Sequence, residues 1–179
     1  MFSSKVQLQK RTPANGTDRE GYLSLLVDEY INTDSFESKC QVLANLANFA
    51  YDPINYGFIR DVGVLDIFIY VLKNEKNDKL LQFAATGISN LCIDPENVEY
   101  VLKHADLKII SSLLKSSQSD IVAEAITILI YLYHSQAKPA VECLNVIQDI
   151  QILKNSNNKV VSNLANVFLD DVSKECAKS

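Results

Sequence analysis

Apolar residues recur at helical spacing through most of this chain. The cleanest run is Cys40, Leu43, Ala44, Leu46, Ala47 and Ala50, between Glu37 and the breaker Pro53. Steps of three and four place these residues on one side of a helix of about four turns. Asp52 can cap the next helix, over 53–60, and Pro53 can open it, because N–H groups in a first turn have no intrahelical acceptor. Gly63 permits a tight corner, after which Val64, Leu65, Ile67, Phe68, Val71 and Leu72 predict another core-facing helix.

The same plan then returns. Asn48-Phe49-Ala50-Tyr51-Asp52-Pro53 reappears further along as Asn90-Leu91-Cys92-Ile93-Asp94-Pro95. The register holds onward for Asn55 with Asn97, Phe58 with Tyr100, Leu65 with Leu107 and Leu72 with Leu114. A repeat period of this length, position 48 returning at position 90, marks a helical solenoid. The second unit is predicted as a long helix over 78–92, a short helix over 95–103 capped by Asp94, and a third over 107–114. Ala105 stands where the first unit has Gly63, so that corner requires no positive φ.

A third unit begins near Ser119 with Ile121, Val122, Ala125, Ile128, Leu129 and Leu132 on its long helix, and continues through Pro139 to about Leu153. A final helix over 158–172 carries Asn163-Leu164-Ala165-Asn166, matching Asn45-Leu46-Ala47-Asn48. Ahead of the first unit, Tyr22, Leu23, Leu26, Val27 and Tyr30 predict a helix that caps the stack. The expected organisation is a flexible N-terminal tail over 1–18, a repeat domain over 19–173 and a C-terminal tail over 174–179.

Equivalent positions in the four long helices hold Asn48, Asn90, Tyr131 and Asn166, with the last interval shortened. Stacked long helices would align them as a ladder on one surface, with Asn45 and Asn163 one turn earlier on the same helix face. Each amide offers a donor and an acceptor, so such a row can hold an extended peptide by its backbone. The same amides could instead tie neighbouring helices together. Tyr131 and Tyr133 interrupt the Asn pattern with aromatic surface that could anchor a partner, one of the two being expected in the core. Asp52 and Asp94 read as caps rather than ligand contacts.

Composition narrows the chemistry. The chain has 179 residues, 47% of them hydrophobic, and a net charge of −5. Lys5, Lys10 and Arg11 face a single Asp18 in the tail, which leaves the body more acidic still and argues against a broad nucleic-acid footprint. Lys73, Lys76, Lys79, Lys103, Lys108 and Lys115 read as charges at helix ends, or as a basic rim touching RNA. Cys40, Cys92, Cys143 and Cys176 form no CxxC pair, and three of them fall at apolar helix positions, as expected of buried thiols in an intracellular protein. No apolar stretch is long enough to span a bilayer, and polar residues follow Met1, so neither a membrane span nor a secretory signal is expected.

His104 and His134 lack metal spacing and read as helix-end residues. Five scattered glycines make no phosphate loop, and no GxSxG elbow occurs. Neither an enzyme, a metal site, a cofactor nor a small-molecule substrate is expected.

Three helices per unit, with Asn-Leu-Ala ending the longest and a Gly corner before the second apolar helix, resemble the armadillo repeat over about 20–172. The resemblance implies an all-α, right-handed armadillo-type helical solenoid of about three full repeats plus capping helices. It also implies that the matching Asn residues bind a partner. The block from Val42 to Pro53, with Gly21-Tyr22-Leu23, Val64-Leu65-Asp66 and Asn163 to Leu169, is similar to one small branch of that family. That likeness implies a nuclear adaptor of the minor spliceosome. It would pair with an RRM-containing RNA-binding protein near the 5′ end of a small nuclear RNA, touching the RNA indirectly or by a minor contact. A peptide-binding module in transport or signalling is the alternative. With no Trp and so few units, a carrier of basic import signals is disfavoured.

Overall fold

The computed structural model describes residues 2–11 and 16–176. Its described residues form helices and connecting turns, in two compact units, Met1–Asn97 and Val98–Ser179.

The first unit contains α1 (Lys5–Arg11), α2 (Arg19–Asn32), α3 (Phe36–Ala50), a 3₁₀ turn (Pro53–Asn55), α4 (Tyr56–Asp61), α5 (Val64–Asn74) and α6 (Asp78–Leu91). Short polar side chains start α2, α3 and α6 by accepting unpaired N–H groups of the first turn. Asp18 accepts from the Gly21 N–H at 2.8 Å, Ser35 from Ser38 at 3.3 Å and Asn77 from Lys79 at 3.0 Å. Asp52 caps the 3₁₀ turn through the Ile54 N–H, and Asp94 accepts from the Asn97 N–H, so both aspartates act as the caps that the sequence suggests. Gly63 turns the α4–α5 corner at φ 77°. The periodic apolar residues converge: Leu43, Leu46, Leu65, Phe68 and Leu91 are fully excluded from solvent where α3 and α5 pack on α6.

The sequence echo extends to individual hydrogen bonds. Asn55 Nδ2 donates to the Phe49 carbonyl at 2.8 Å, and Asn97 Nδ2 donates to the Leu91 carbonyl at 3.1 Å, the same step back along the chain in both cases. The acceptor ends differ. Asn97 Oδ1 receives Arg60 Nη1 at 2.7 Å, and the same guanidinium pairs with Asp94 and Glu96. Asn55 Oδ1 is buried without a partner among the described residues.

The stretch expected to be a flexible tail contributes structure where it is described. Residues 5–11 form α1, the Ser3 N–H donates to Asp52 Oδ2 at 2.9 Å, and Phe2 packs on Tyr51 with ring centroids 5.6 Å apart. Burial alone would push the Asp52 carboxyl up, but the hydrogen bonds from Ser3 and Ile54, with the charge of Arg19, hold it below the ordinary carboxylate value. Met1 and residues 12–15 of that stretch lie outside the described residues.

The boundary between units falls within α7 (Pro95–His104). The second unit continues with α8 (Leu107–Leu113), α9 (Ser119–Tyr133), α10 (Lys138–Glu142), α11 (Ile147–Leu153) and α12 (Lys159–Cys176). Ile121, Ala125, Ile126, Leu129 and Leu132 bury the inner side of α9, which packs on α8, α10 and α12. Gly63 and Asn145 alone have positive φ among the described residues, so the Ala105 corner needs none, as its side chain suggests. Asn145 takes φ 58° between α10 and α11, a conformation Asn tolerates.

Three expectations are corrected. Helix α12 runs to Cys176, past the expected start of the C-terminal tail at 174, and residues 177–179 lie outside the described residues. Cys143 is exposed, because α10 ends at Glu142 and the chain turns there, whereas Cys40 and Cys92 are buried. Lys73 and Lys103 occupy last turns of helices, but Lys79 and Lys108 occupy first turns, where the helix dipole does not favour a cation.

Candidate functional site

Helices α3 and α6 lie side by side in the first unit, and each has one stripe turned away from the core. On α3, steps of four lead from Phe36 through the buried Cys40 and the half-buried Ala44 to the exposed Asn48, while Asn45 lies on the opposite side of the helix from Phe36. On α6 the matching stripe leads from Lys79 through Phe83 and Thr86 to Asn90. At the N-terminal ends of the two helices, Phe36, Cys40 and Ala44 face Phe83 across an open cleft of about 430 Å³, with Glu37 and Lys79 on opposite walls. Phe36 leaves 47% of its surface in solvent there. Cys40 lines the cleft but is itself buried, and that burial raises its thiol pKa, with Lys79 partly opposing the shift.

The Asn residues at the other end divide their work. Asn48 is exposed and Asn45 half-buried. Asn90 is a tie between helices: its Nδ2 donates to the Ala47 carbonyl of α3 at 3.2 Å, while its own backbone carbonyl accepts the Tyr56 hydroxyl at 3.0 Å. Identical residue types at equivalent positions therefore have different duties, set by what the neighbouring helix presents.

In the second unit, Asn163 is exposed on α12, and Asn166 Nδ2 donates to the Ser162 carbonyl one turn back at 2.9 Å. Tyr131 is half-buried. Tyr133 is the core member of the aromatic pair, packed on Phe168 at 5.6 Å with the Lys138 ammonium 5.0 Å from its ring centre. The histidines sit at helix ends: His104 stacks on Tyr100 at the end of α7, and His134 meets Asp171 at 2.8 Å where α9 stops.

Sequence reasoning that followed the Asn positions missed Phe36 and Phe83, although Phe83 falls two turns before Asn90 on one face of α6. It also missed a larger cleft of about 500 Å³ between α2, α3 and α5, bordered by Tyr30, Lys39, Asp66 and Tyr70. The Tyr30 hydroxyl is buried without a partner among the described residues, and burial, with Glu75 and Tyr70 nearby, raises its pKa to about 12. Among the described residues no helix is long and apolar enough to cross a membrane.

No family model matches the sequence. A curated mouse protein, "Armadillo repeat-containing protein 7", is 43% identical over 155 residues, covering 86% of this chain and 78% of its own. The fold is similar to a designed armadillo repeat protein in complex with the peptide (KR)4, with a TM-score of 0.74 at 17% identity over 81% of this chain. Computationally designed armadillo repeat proteins for modular peptide recognition give a TM-score of 0.76 at 19% identity over 84% of this chain. The chain spans only 62% and 64% of those designs, and at such identities the likeness speaks for the all-α armadillo-type solenoid fold alone. The mouse relative says more: this chain belongs to the armadillo repeat-containing protein 7 family.

Proposed function

We propose that the protein is a non-catalytic, protein-binding repeat scaffold that works in the nucleus as an adaptor of the minor spliceosome. Its direct partner is an RRM-type RNA-binding protein, and the small nuclear RNA is reached through that partner. The observation that carries the scaffold reading is family membership along 86% of the chain, on a fold whose long helices expose a polar stripe. The splicing assignment rests on the likeness of the Val42–Pro53 block, whose Asn48 is open to solvent. Asn45 and Asn48 are the contacts assigned to α3, with Tyr131 and Asn163 as those of the second unit. Asn90 and Asn166 support their own helices as well as any partner.

Affinity purification from nuclear extract tests this reading. Recovery of minor-class small nuclear RNA together with an RRM protein is expected, and recovery of transport or junction proteins in their place would overturn it. The double variant Asn45→Ala, Asn48→Ala should lose the partner while keeping its helical circular dichroism. If the folded variant still retains the partner fully, the α3 stripe is not the contact.

A further inference from the structure

Within the first unit the repeat is kept in its acceptors but not in its donor. Arg60 Nη1 lies 2.7 Å from Asn97 Oδ1 and 3.1 Å from Asp94 Oδ1, so one guanidinium nitrogen bridges an amide oxygen and a carboxylate of the following repeat. Asn55 and Asp52 are the register equivalents of Asn97 and Asp94. Both Asn side chains are anchored through Nδ2 to the carbonyl six residues back, which aims both amide oxygens the same way. The step that carries Asn55 to Asn97 carries Asp18 to Arg60, and Asp18 is an acidic cap with no guanidinium to give. Asn55 is only 3% exposed, and its Oδ1 meets no donor among the described residues, a costly state for a buried acceptor. Arg19 lends its charge to Asp52, but its guanidinium rests 4.6 Å from the centre of the Phe49 ring. Asp52 Oδ2 is held instead by the Ser3 N–H.

We propose that Asp52 and Asn55 Oδ1 form an arginine seat at the N-terminal end of the stack, filled by an arginine side chain of a partner protein that stands where Arg60 stands one repeat later. The seat rests on the scaffold reading, since a protein supplies the guanidinium. Its occupant is selected by charge and by the repeat itself: a carboxylate beside a buried amide oxygen is what Arg60 already meets in this chain. A guanidinium is weakly hydrated and holds its donors in a rigid fork, so it can enter and serve both acceptors at once. The seat is plainer than its copy, because Ile54 replaces Glu96, which also pairs with Arg60. Entry displaces the Ser3 N–H from Asp52, and the first residues thereby act as a strap over the seat. Beside Asp52, the packed rings of Tyr51 and Phe2 leave more than half of their surface in solvent. Apolar residues flanking the arginine can cover these rings, which a single amino acid cannot do.

Nuclear magnetic resonance of the ¹⁵N-labelled full chain at low salt, where a half-exposed ion pair is least screened, tests the seat. The probes are an end-capped heptapeptide with a central Arg between two Leu in a Gly/Ser background, the same peptide with Lys for Arg, and free arginine. The Arg peptide should shift the Asn55 side-chain amide and the Ser3 backbone amide. It should bind roughly fivefold or more tighter than the Lys peptide, and about tenfold tighter than free arginine. Asp52→Asn keeps an oxygen for the Ile54 N–H but loses the charge, and should weaken the Arg peptide about tenfold with its helical circular dichroism unchanged. Ser3→Pro removes the competing N–H and should tighten the Arg peptide about threefold, a gain that misfolding does not produce. Equal binding of the Arg and Lys peptides, equal binding of free arginine, or shifts that spare Asn55 would each overturn the proposal. So would no binding, whether nothing enters or an arginine of this chain already fills the seat, and so would variants that leave the affinity unchanged. The scaffold reading fails separately, when nuclear purification returns transport or junction proteins instead of a minor-class ribonucleoprotein.

Discussion

Tyr30 shows how one atom can be a liability inside a sound core. Its ring is buried by α2 and its neighbours, and Lys39 lies 5.6 Å from the ring centre, but the hydroxyl meets no acceptor or donor among the described residues. A buried hydroxyl without a partner has lost hydration for nothing in return. Tyr30→Phe should therefore raise stability at neutral pH by about 1 kcal/mol, read as a higher urea midpoint. The raised hydroxyl pKa adds a second signature. An unfolded tyrosine releases its proton near pH 10 while the folded one holds it to about 12. The unfolded state thus binds fewer protons across that window, and stability falls as pH rises through it. Cys92, also raised to about 12 by burial, loses stability in the same direction from its ordinary value of 9. Denaturant titrations at pH 9 and pH 11 should show a smaller loss in Tyr30→Phe than in the parent, and an equal loss would show that Tyr30 is not responsible.

Among elements, the approach of α6 to α5 is set by a missing side chain. Gly87 corresponds to Asn45 in the repeat register, and a Cβ there would stand 2.4 Å from the buried Phe68 ring. Gly57, exposed on α4, would meet nothing within 4 Å. The two Gly→Ala substitutions should consequently have opposite signs. Gly57→Ala gains up to about 1 kcal/mol of helix propensity, whereas Gly87→Ala loses roughly 1–3 kcal/mol to overpacking that the same propensity does not offset. Thermal melts that move in the same direction would refute this account of the α5–α6 contact. Most elements were legible in the sequence because the apolar spacing of 40–50, 64–72 and 121–132 coincides with what the core buries. Helix α1 was not, since Lys5–Arg11 contains only Val6 and Leu8 as apolar residues. The contacts just ahead of it, Ser3 with Asp52 and Phe2 with Tyr51, depend on a distant part of the chain that only folding brings near. The site was half legible for a related reason. Sequence register aligns Asn48 with Asn90, but only the neighbouring carbonyl of Ala47 decides that Asn90 is occupied.

For the whole molecule, the net charge of −5 coexists with two long helices, α3 and α6, that carry no charge beyond their first turns. An acidic protein is expected to repel RNA and to feel salt, yet Asn45 and Asn48, the contacts proposed on α3, are uncharged and offer no ion pair for salt to screen. The affinity of the chain for its protein partner through this face should change less than about twofold between 50 and 300 mM salt. Direct RNA binding through phosphates would instead weaken by orders of magnitude across that range, so one salt titration separates the two modes. The uncharged stripe also has a kinetic consequence. Without electrostatic steering, encounters proceed at the unassisted rate, on the order of 10⁵–10⁶ M⁻¹s⁻¹, and discrimination between partners falls to how long each complex lasts. A scaffold with such a face meets its partners slowly and indiscriminately, and it sorts them by residence time.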